Sequence, residues 1–208
     1  MNLVFDFGAV LFTWQPAQLL LQTFPRQVAS PEAARQLAHQ VFGHPDWHAF
    51  DCGLLEPDTV IERIAQRLDL PLALVRQLVH GIGVRLVPMP DTLALLQQLR
   101  ARRLAGQGVT GLYYLSNMPV LYARALEAGH DFLQWFDGGI FSGDVKLIKP
   151  DPAIYRLLQS RYALEPACTL FVDDLKGNVQ QARLLGWQGI QFESARQLQT
   201  ELALSGLL

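Results

Sequence analysis

Six side chains of this sequence have the types and spacing to do chemistry together: Asp6, Ser116, Asn117, Lys149, Asp173 and Asp174. Each lies beyond a short apolar run: Leu3-Val4-Phe5 before Asp6, Gly111–Leu115 before Ser116-Asn117, Gly139–Phe141 some way before Lys149, and Thr169–Val172 before Asp173-Asp174. Adjacent carboxylates repel each other, so Asp173 and Asp174 side by side ask for a cation. Oxygen ligands from that pair and Asp6 suit Mg2+, a hard ion that takes one or two carboxylates plus water and phosphate oxygens. Lys149 can neutralise a phosphate as a point charge, and lysine is used sparingly, three times among the 17 basic residues. The Ser116 hydroxyl adds a donor to the same phosphate, and backbone N–H groups after Asp6 complete a cradle. Singly, each residue reads more plainly as a turn, a helix cap or a solvated side chain. It is their convergence that points to chemistry.

Convergence requires the apolar runs to be neighbouring strands, because open α/β sheets bind ligands beyond the carboxyl ends of their strands. The periodicity predicts strands at Asn2–Phe5, Gly111–Leu115, Gly139–Phe141, Thr169–Val172 and Gly189–Phe192. Helices are expected at Asp91–Arg103, with Leu93, Leu96 and Leu99 inward, at Pro119–Ala128 closed by Gly129, and at Pro152–Tyr162. Two more follow, Asn178–Leu185 capped by Gly186, and Ala195–Leu204. This alternation predicts a parallel, doubly wound, Rossmann-like α/β sheet. Residues 15–86 carry no strand pattern. Ser30-Pro31-Glu32 starts one helix, Val60 to Leu68 forms an apolar stripe on another, and Leu72–Val79 reads as a third that Gly81 and Gly83 should end. The expected organisation is an α/β core of residues 1–14 and 87–208, with a small helical module of residues 15–86 inserted after the first strand.

Half of the 208 residues are hydrophobic and 17% are charged, enough to bury a sizeable core and unlike a disordered or coiled-coil chain. Seventeen basic against 19 acidic residues leave a net charge of −2, which predicts neither a nucleic-acid nor an anionic-membrane partner. Cys52 and Cys168 stand far apart and make neither a disulfide framework nor a CxxC metal site. The uncharged stretches Phe7–Pro25 and Leu104–Ala123 are interrupted by Gln, Gly, Asn and Pro, so neither is expected to span a membrane. With no basic region before the first apolar run, no signal peptide is expected. The resulting expectation is a soluble, cytoplasmic protein, monomeric or weakly dimeric.

The fragments LVFDFGAVLF (3–12), LYYLSN (112–117), KLIKPDPAIY (146–155) and FVDDLKGNVQQA (171–182) resemble the four motifs of the haloacid dehalogenase-like (HAD) phosphohydrolase superfamily, in that family's order and across the whole chain. The helical module resembles the small cap of that family. The bacterial α-D-glucose-1-phosphate phosphatase group is the most similar, sharing DxGxV at the first motif; the segment PDWHAFDCGLLEPDTV (45–60) is similar to its aromatic-acid-x-Gly pattern. The resemblance implies that Asp6 is a nucleophile forming an aspartyl-phosphate, that Ser116, Asn117 and Lys149 hold the phosphate, and that Asn178 braces the acidic loop. It further implies that Mg2+ is bound by Asp6, the Gly8 carbonyl and Asp174, with Asp173 acting through water.

One departure matters. Most phosphatases of the family carry an acid two residues after the nucleophile, and this sequence has Gly8 there. General acid catalysis contributes about 10²–10⁴-fold, so its loss favours leaving groups that need little protonation, such as sugar 1-phosphates. His48 is a candidate replacement, and Trp47, Phe50, Asp51 and Leu55 are candidates for the substrate-selecting mouth. The expected function is therefore a Mg2+-dependent phosphatase of small phosphorylated metabolites. The alternatives are a non-catalytic HAD-fold protein that binds a phosphorylated ligand, and a metal-free haloacid dehalogenase.

Overall fold

The computed structural model describes all 208 residues. Five strands, β1 (Asn2–Phe5), β2 (Gly111–Ser116), β3 (Gly138–Phe141), β4 (Thr169–Asp173) and β5 (Gln188–Gln191), form one parallel sheet in the order β3-β2-β1-β4-β5. β1 and β4 are apolar at nearly every position because both of their faces are covered, as parallel sheets require. Successive side chains point to opposite faces: Leu3 and Phe5 enter one apolar cluster, and Val4 enters the other with Tyr155, Phe171 and Trp187.

Helices α1 (Pro16–Thr23), α2 (Pro31–Phe42), α3 (Pro45–Asp51), α4 (Pro57–Leu68) and α5 (Leu72–Arg85) follow β1 with no strand among them. Then come α6 (Pro90–Leu104), α7 (Val120–Gly129), the short α8 (Ser142–Val145), α9 (Pro152–Arg161), α10 (Lys176–Leu184) and α11 (Ala195–Leu204). Several starts are explained locally. The Ser30 hydroxyl accepts from the Ala33 N–H at 3.1 Å and Asp151 accepts from the Ala153 N–H at 2.8 Å, each before a proline at the first helical position. Apolar residues of α1–α5 belong to the same buried cluster as Leu3, Phe5 and Phe7, so the helical layer and the sheet share one core.

The parallel, doubly wound sheet with a helical insertion after its first strand matches the sequence expectation, with two local differences. α5 does not end at Gly81 but runs through both glycines to Arg85. Gly83 faces α7, where an added Cβ would stand 3.3 Å from the Ala125 Cβ. Close helix–helix approach thus offsets the propensity cost of about 1 kcal/mol. In α6 the inward residues are Thr92, Leu95, Leu96 and Leu99, while Leu93 packs half-buried at the edge of the core.

Candidate active site

The carboxyl ends of β1, β2 and β4 place Asp6, Ser116 and Asp173 side by side, at the point where the strand order reverses between β1 and β4. Asp6 continues the ladder, its N–H donating to the Val172 carbonyl at 2.9 Å. The chain then turns tightly. The Phe7 carbonyl accepts from Leu11 and Phe12 at 2.9 and 2.8 Å, and Ala9 adopts φ 57°. Lys149, on the loop after α8, extends its buried ammonium between two of these acids, 3.0 Å from Asp6 Oδ1 and 2.6 Å from Asp173 Oδ2.

Asp173 is saturated. Besides Lys149, its oxygens accept from the Leu175 N–H at 2.8 Å and from Asn178 Nδ2 at 3.0 Å to each oxygen. Asn178 thus braces the acidic loop. Asp174 is the opposite case, since no side chain donates to its carboxylate, while burial and repulsion from Asp6 and Asp173 push it up to about 7. Burial, partly countered by Lys149 and reinforced by Asp173, pushes Asp6 up to about 6. Burial alone would lower the Lys149 ammonium, yet the two carboxylates override it and hold its pKa above the usual lysine value.

This is a charge imbalance of three carboxylates against one ammonium. Oxygens of Asp6, Asp173 and Asp174 lie within 4.8 Å of one another, and the buried Asp6 Oδ1, although close to Lys149, is not aligned for a hydrogen bond. Two unspent carboxylates and an all-oxygen donor set fit a hard dication such as Mg2+. Asp6 and Asp174 have free oxygens to offer such an ion directly, whereas Asp173 would have to break existing bonds. Gly8 lines the same cavity as Asp6 and Asp174, and its carbonyl takes no backbone donor.

Ser116 is buried against Asp6, and its hydroxyl helps to hold the Asp6 pKa down. The N–H groups of Phe7 and Gly8 donate to no backbone acceptor, which leaves donors free for an anion. Asn117 lines the same cavity and also braces Lys149. Its Nδ2 donates to the Lys149 carbonyl at 3.0 Å and its Oδ1 accepts from the Lys149 N–H at 2.8 Å. The amide oxygen and one N–H go to the lysine backbone, which leaves the second N–H free.

Above this floor opens a cavity of about 460 Å³. Its upper walls are mostly apolar, from Trp14, Phe42, Trp47, Ile82, Leu86 and Met118 among others. The rings of Trp14, Phe42 and Trp47 meet edge to face, with centroids 5.1 and 4.7 Å apart. Tyr122 also lines it, but its hydroxyl donates to the Val79 carbonyl at 2.8 Å. Trp47, His48 and Asp51 face the cavity from α3. Phe50 does not, because it packs behind the wall between Trp47 and Tyr122; Leu55 packs against the core instead. Gly8 has an ordinary negative φ, and a Cβ there would meet only Trp14, at 3.9 Å. The wall residues Trp14, Phe42, Ile82 and Leu86 were not legible as site residues, because their only sequence signal is apolarity, which they share with the core.

A family model described as haloacid dehalogenase-like hydrolase matches residues 9–186. The sesquiterpene phosphatase astK of Aspergillus oryzae is 27% identical over 187 residues, covering 90% of this chain and 87% of that protein. The drimenol cyclase drtB of Aspergillus calidoustus is 24% identical over 200 residues; the match takes in 96% of this chain and 35% of that longer protein. Among solved structures, the HAD family enzyme bt-2542 from Bacteroides thetaiotaomicron, in complex with magnesium and inorganic phosphate, superposes with a TM-score of 0.70 at 19% identity, covering 92% of this chain and 93% of that one. L-2-haloacid dehalogenase from Xanthobacter autotrophicus gives a TM-score of 0.61 at 25% identity, covering 97% and 82%. These superpositions establish a common fold.

Proposed function

The chain belongs to the haloacid dehalogenase-like hydrolase family, and from that premise we propose that it is a Mg2+-dependent phosphatase of small phosphorylated metabolites. The observation that carries this reading is the unspent pair Asp6 and Asp174 beside the buried Lys149, a floor with too much negative charge for itself and one fixed cation for a phosphate. Asp6 is the nucleophile. Its carboxylate attacks phosphorus, the bond from phosphorus to the leaving oxygen breaks, and an aspartyl-phosphate forms that water then hydrolyses. Lys149 and the Ser116 hydroxyl hold the equatorial oxygens, where most of the stabilisation in phosphoryl transfer lies. Asn117 fixes Lys149, and Asn178 fixes Asp173. Mg2+, held by Asp6, Asp174 and the Gly8 carbonyl, would neutralise charge on the transferring group. In this reading residues 15–86 are the cap and residues 1–14 with 87–208 the catalytic core.

The substrate follows from the walls. The motif resemblance implies a sugar 1-phosphate, but a sugar's hydroxyls need several partners, and the mostly apolar upper cavity offers few: His48, Asp51 and the indole N–H groups of Trp14 and Trp47. The lining favours a phosphate ester of a largely apolar alcohol, and the similarity to a sesquiterpene phosphatase supports the same choice. An unpartnered Asp174 disfavours metal-free dehalogenation. The test is a panel of p-nitrophenyl phosphate, glucose 1-phosphate and farnesyl monophosphate, each with Mg2+ and with EDTA. Mg2+-dependent turnover is expected, with the isoprenoid ester preferred over the sugar. A folded protein that turns over none of the three with Mg2+ leaves the non-catalytic binding reading in its place.

A further inference from the structure

Asp51 is the one acidic side chain of the cavity that stands apart from the floor. Burial alone raises its carboxyl well above the usual carboxylate range, and neither Lys149 nor any acid of the floor contributes to that rise. No side chain or backbone N–H of the protein donates to it. Its neighbour Tyr122 feels its charge but has given its own hydroxyl to Val79. Asp51 is half-buried and lines the cavity among aromatic and aliphatic walls, so a ligand there meets an acceptor that no group of the protein has paired.

Its position is nonetheless fixed. The Asp51 carbonyl accepts from Ser142 Oγ at 2.5 Å, and the same Oγ accepts from the Met118 N–H at 2.7 Å. Met118 follows Ser116-Asn117 directly, so this chain of bonds ties the end of α3 to the loop beyond β2. Two residues further on, Gly53 adopts φ +68°, where a side chain would collide with the Gly143 carbonyl. Asp51 is therefore held by the same strand ends that hold the phosphate-binding floor, which is how a recognition group is preorganised.

We propose that Asp51 is a specificity-determining residue that binds a hydrogen-bond donor, a hydroxyl or an ammonium, carried by the substrate on its apolar body at the end away from the phosphate. The two donor sources share one chemistry, a donated proton that a carboxyl in an apolar wall lacks. An ammonium adds its charge and attraction to the faces of Trp14 and Trp47. This deepens the phosphatase reading by naming what the alcohol must carry.

The test uses ligands that cannot be hydrolysed, so that it stands apart from turnover. Alkylphosphonates of graded length ending in methyl, hydroxyl or amino groups are titrated calorimetrically into the full chain with Mg2+. At one chain length a hydroxyl or amino terminus should bind about tenfold tighter than methyl, and Asp51→Leu should erase that preference. Asp51→Asn, nearly the same shape, keeps a hydroxyl preference and loses an amino one, and it serves if the leucine variant does not fold. Methyl-terminated ligands binding as tightly as the others, or a preference that survives both substitutions, overturns the proposal. If the preference appears but none of p-nitrophenyl phosphate, glucose 1-phosphate and farnesyl monophosphate is hydrolysed with Mg2+, the phosphatase reading fails and the role of Asp51 stands.

Discussion

Asn117 and Lys149 are joined by a reciprocal pair of hydrogen bonds, side-chain amide to main chain, at 3.0 and 2.8 Å. The asparagine orients the lysine backbone, and the lysine ammonium then reaches Asp6 and Asp173. Asn117→Ala should therefore loosen the ammonium. The expected result is a fall of about tenfold or more in kcat with Mg2+ affinity retained, since a small misplacement of a catalytic group is costly. Steady-state kinetics beside a Mg2+ titration checks it; a loss confined to Mg2+ affinity would contradict the assignment.

Asp6→Asn removes the carboxylate proposed as nucleophile while keeping shape. Turnover of every ester should fall below about 10⁻³ of wild type, with the melting temperature nearly unchanged. Activity of more than a few per cent of wild type, measured on preparations free of contaminating phosphatase, takes the nucleophilic role away from Asp6.

The two adjacent acids should separate by measurement. Asp174→Ala should lose most Mg2+ affinity at little cost in stability, because its carboxylate has no side-chain donor. Asp173→Ala should lose less affinity but cost about 3 kcal/mol, because it strips Lys149, Asn178 and the Leu175 N–H of their acceptor. Calorimetric titration and urea unfolding give the two numbers. Equal effects of both substitutions on each measure would refute the division of labour.

Proton and metal should compete at the floor. Asp6 and Asp174 are pushed up to about 6 and about 7 in the folded chain, chiefly by burial. Between about pH 4 and 7 the native state then binds more protons than the unfolded one, so metal-free stability should fall as pH rises through that window. Melting curves without metal should be higher at pH 5.5 than at pH 7.5. Mg2+ should raise the melting temperature more at pH 7.5, where the carboxylates are free to bind it. A metal-free melting temperature that climbs over this range would fail the prediction.

Gly8 offers a gain-of-function test. Its backbone needs no glycine, and a Cβ there meets only Trp14 at an ordinary 3.9 Å, so Gly8→Asp should fold. The new carboxyl should raise turnover of esters with poorly leaving alcohols about tenfold or more and change p-nitrophenyl phosphate little. Equal acceleration of both classes, or of neither, would mean that the proton is supplied elsewhere.

The residues of the floor were legible because strand ends are marked locally, by an apolar run that stops at a polar residue. Asp6, Ser116 and Asp173 sit where that pattern places them. The bracing role of the Asn117 amide was not legible, since its partner is the backbone of residue 149. Ser142, which fastens α3 beneath the cavity, stands in a four-residue helix that no periodicity announces. Gly81 and Gly83 read as helix stops by local propensity, but α5 runs through both, and the close approach of α7 decides the use of Gly83. What sequence pattern missed, in each case, depends on a partner far along the chain.

The central place of β1 also governs when the protein can become active during its own synthesis. Asn2 pairs with Gly111 on one side and Thr169 on the other, so β1 is made well before either of its neighbours. Pairings so distant close late and make folding slow, and until they close the strand bearing Asp6 has no neighbours. A nascent chain halted before β4 carries Asp6 without Asp173, Asp174 or the strand that aligns it. The site should thus appear all at once, when β4 joins the sheet, and products truncated before β4 should carry no activity.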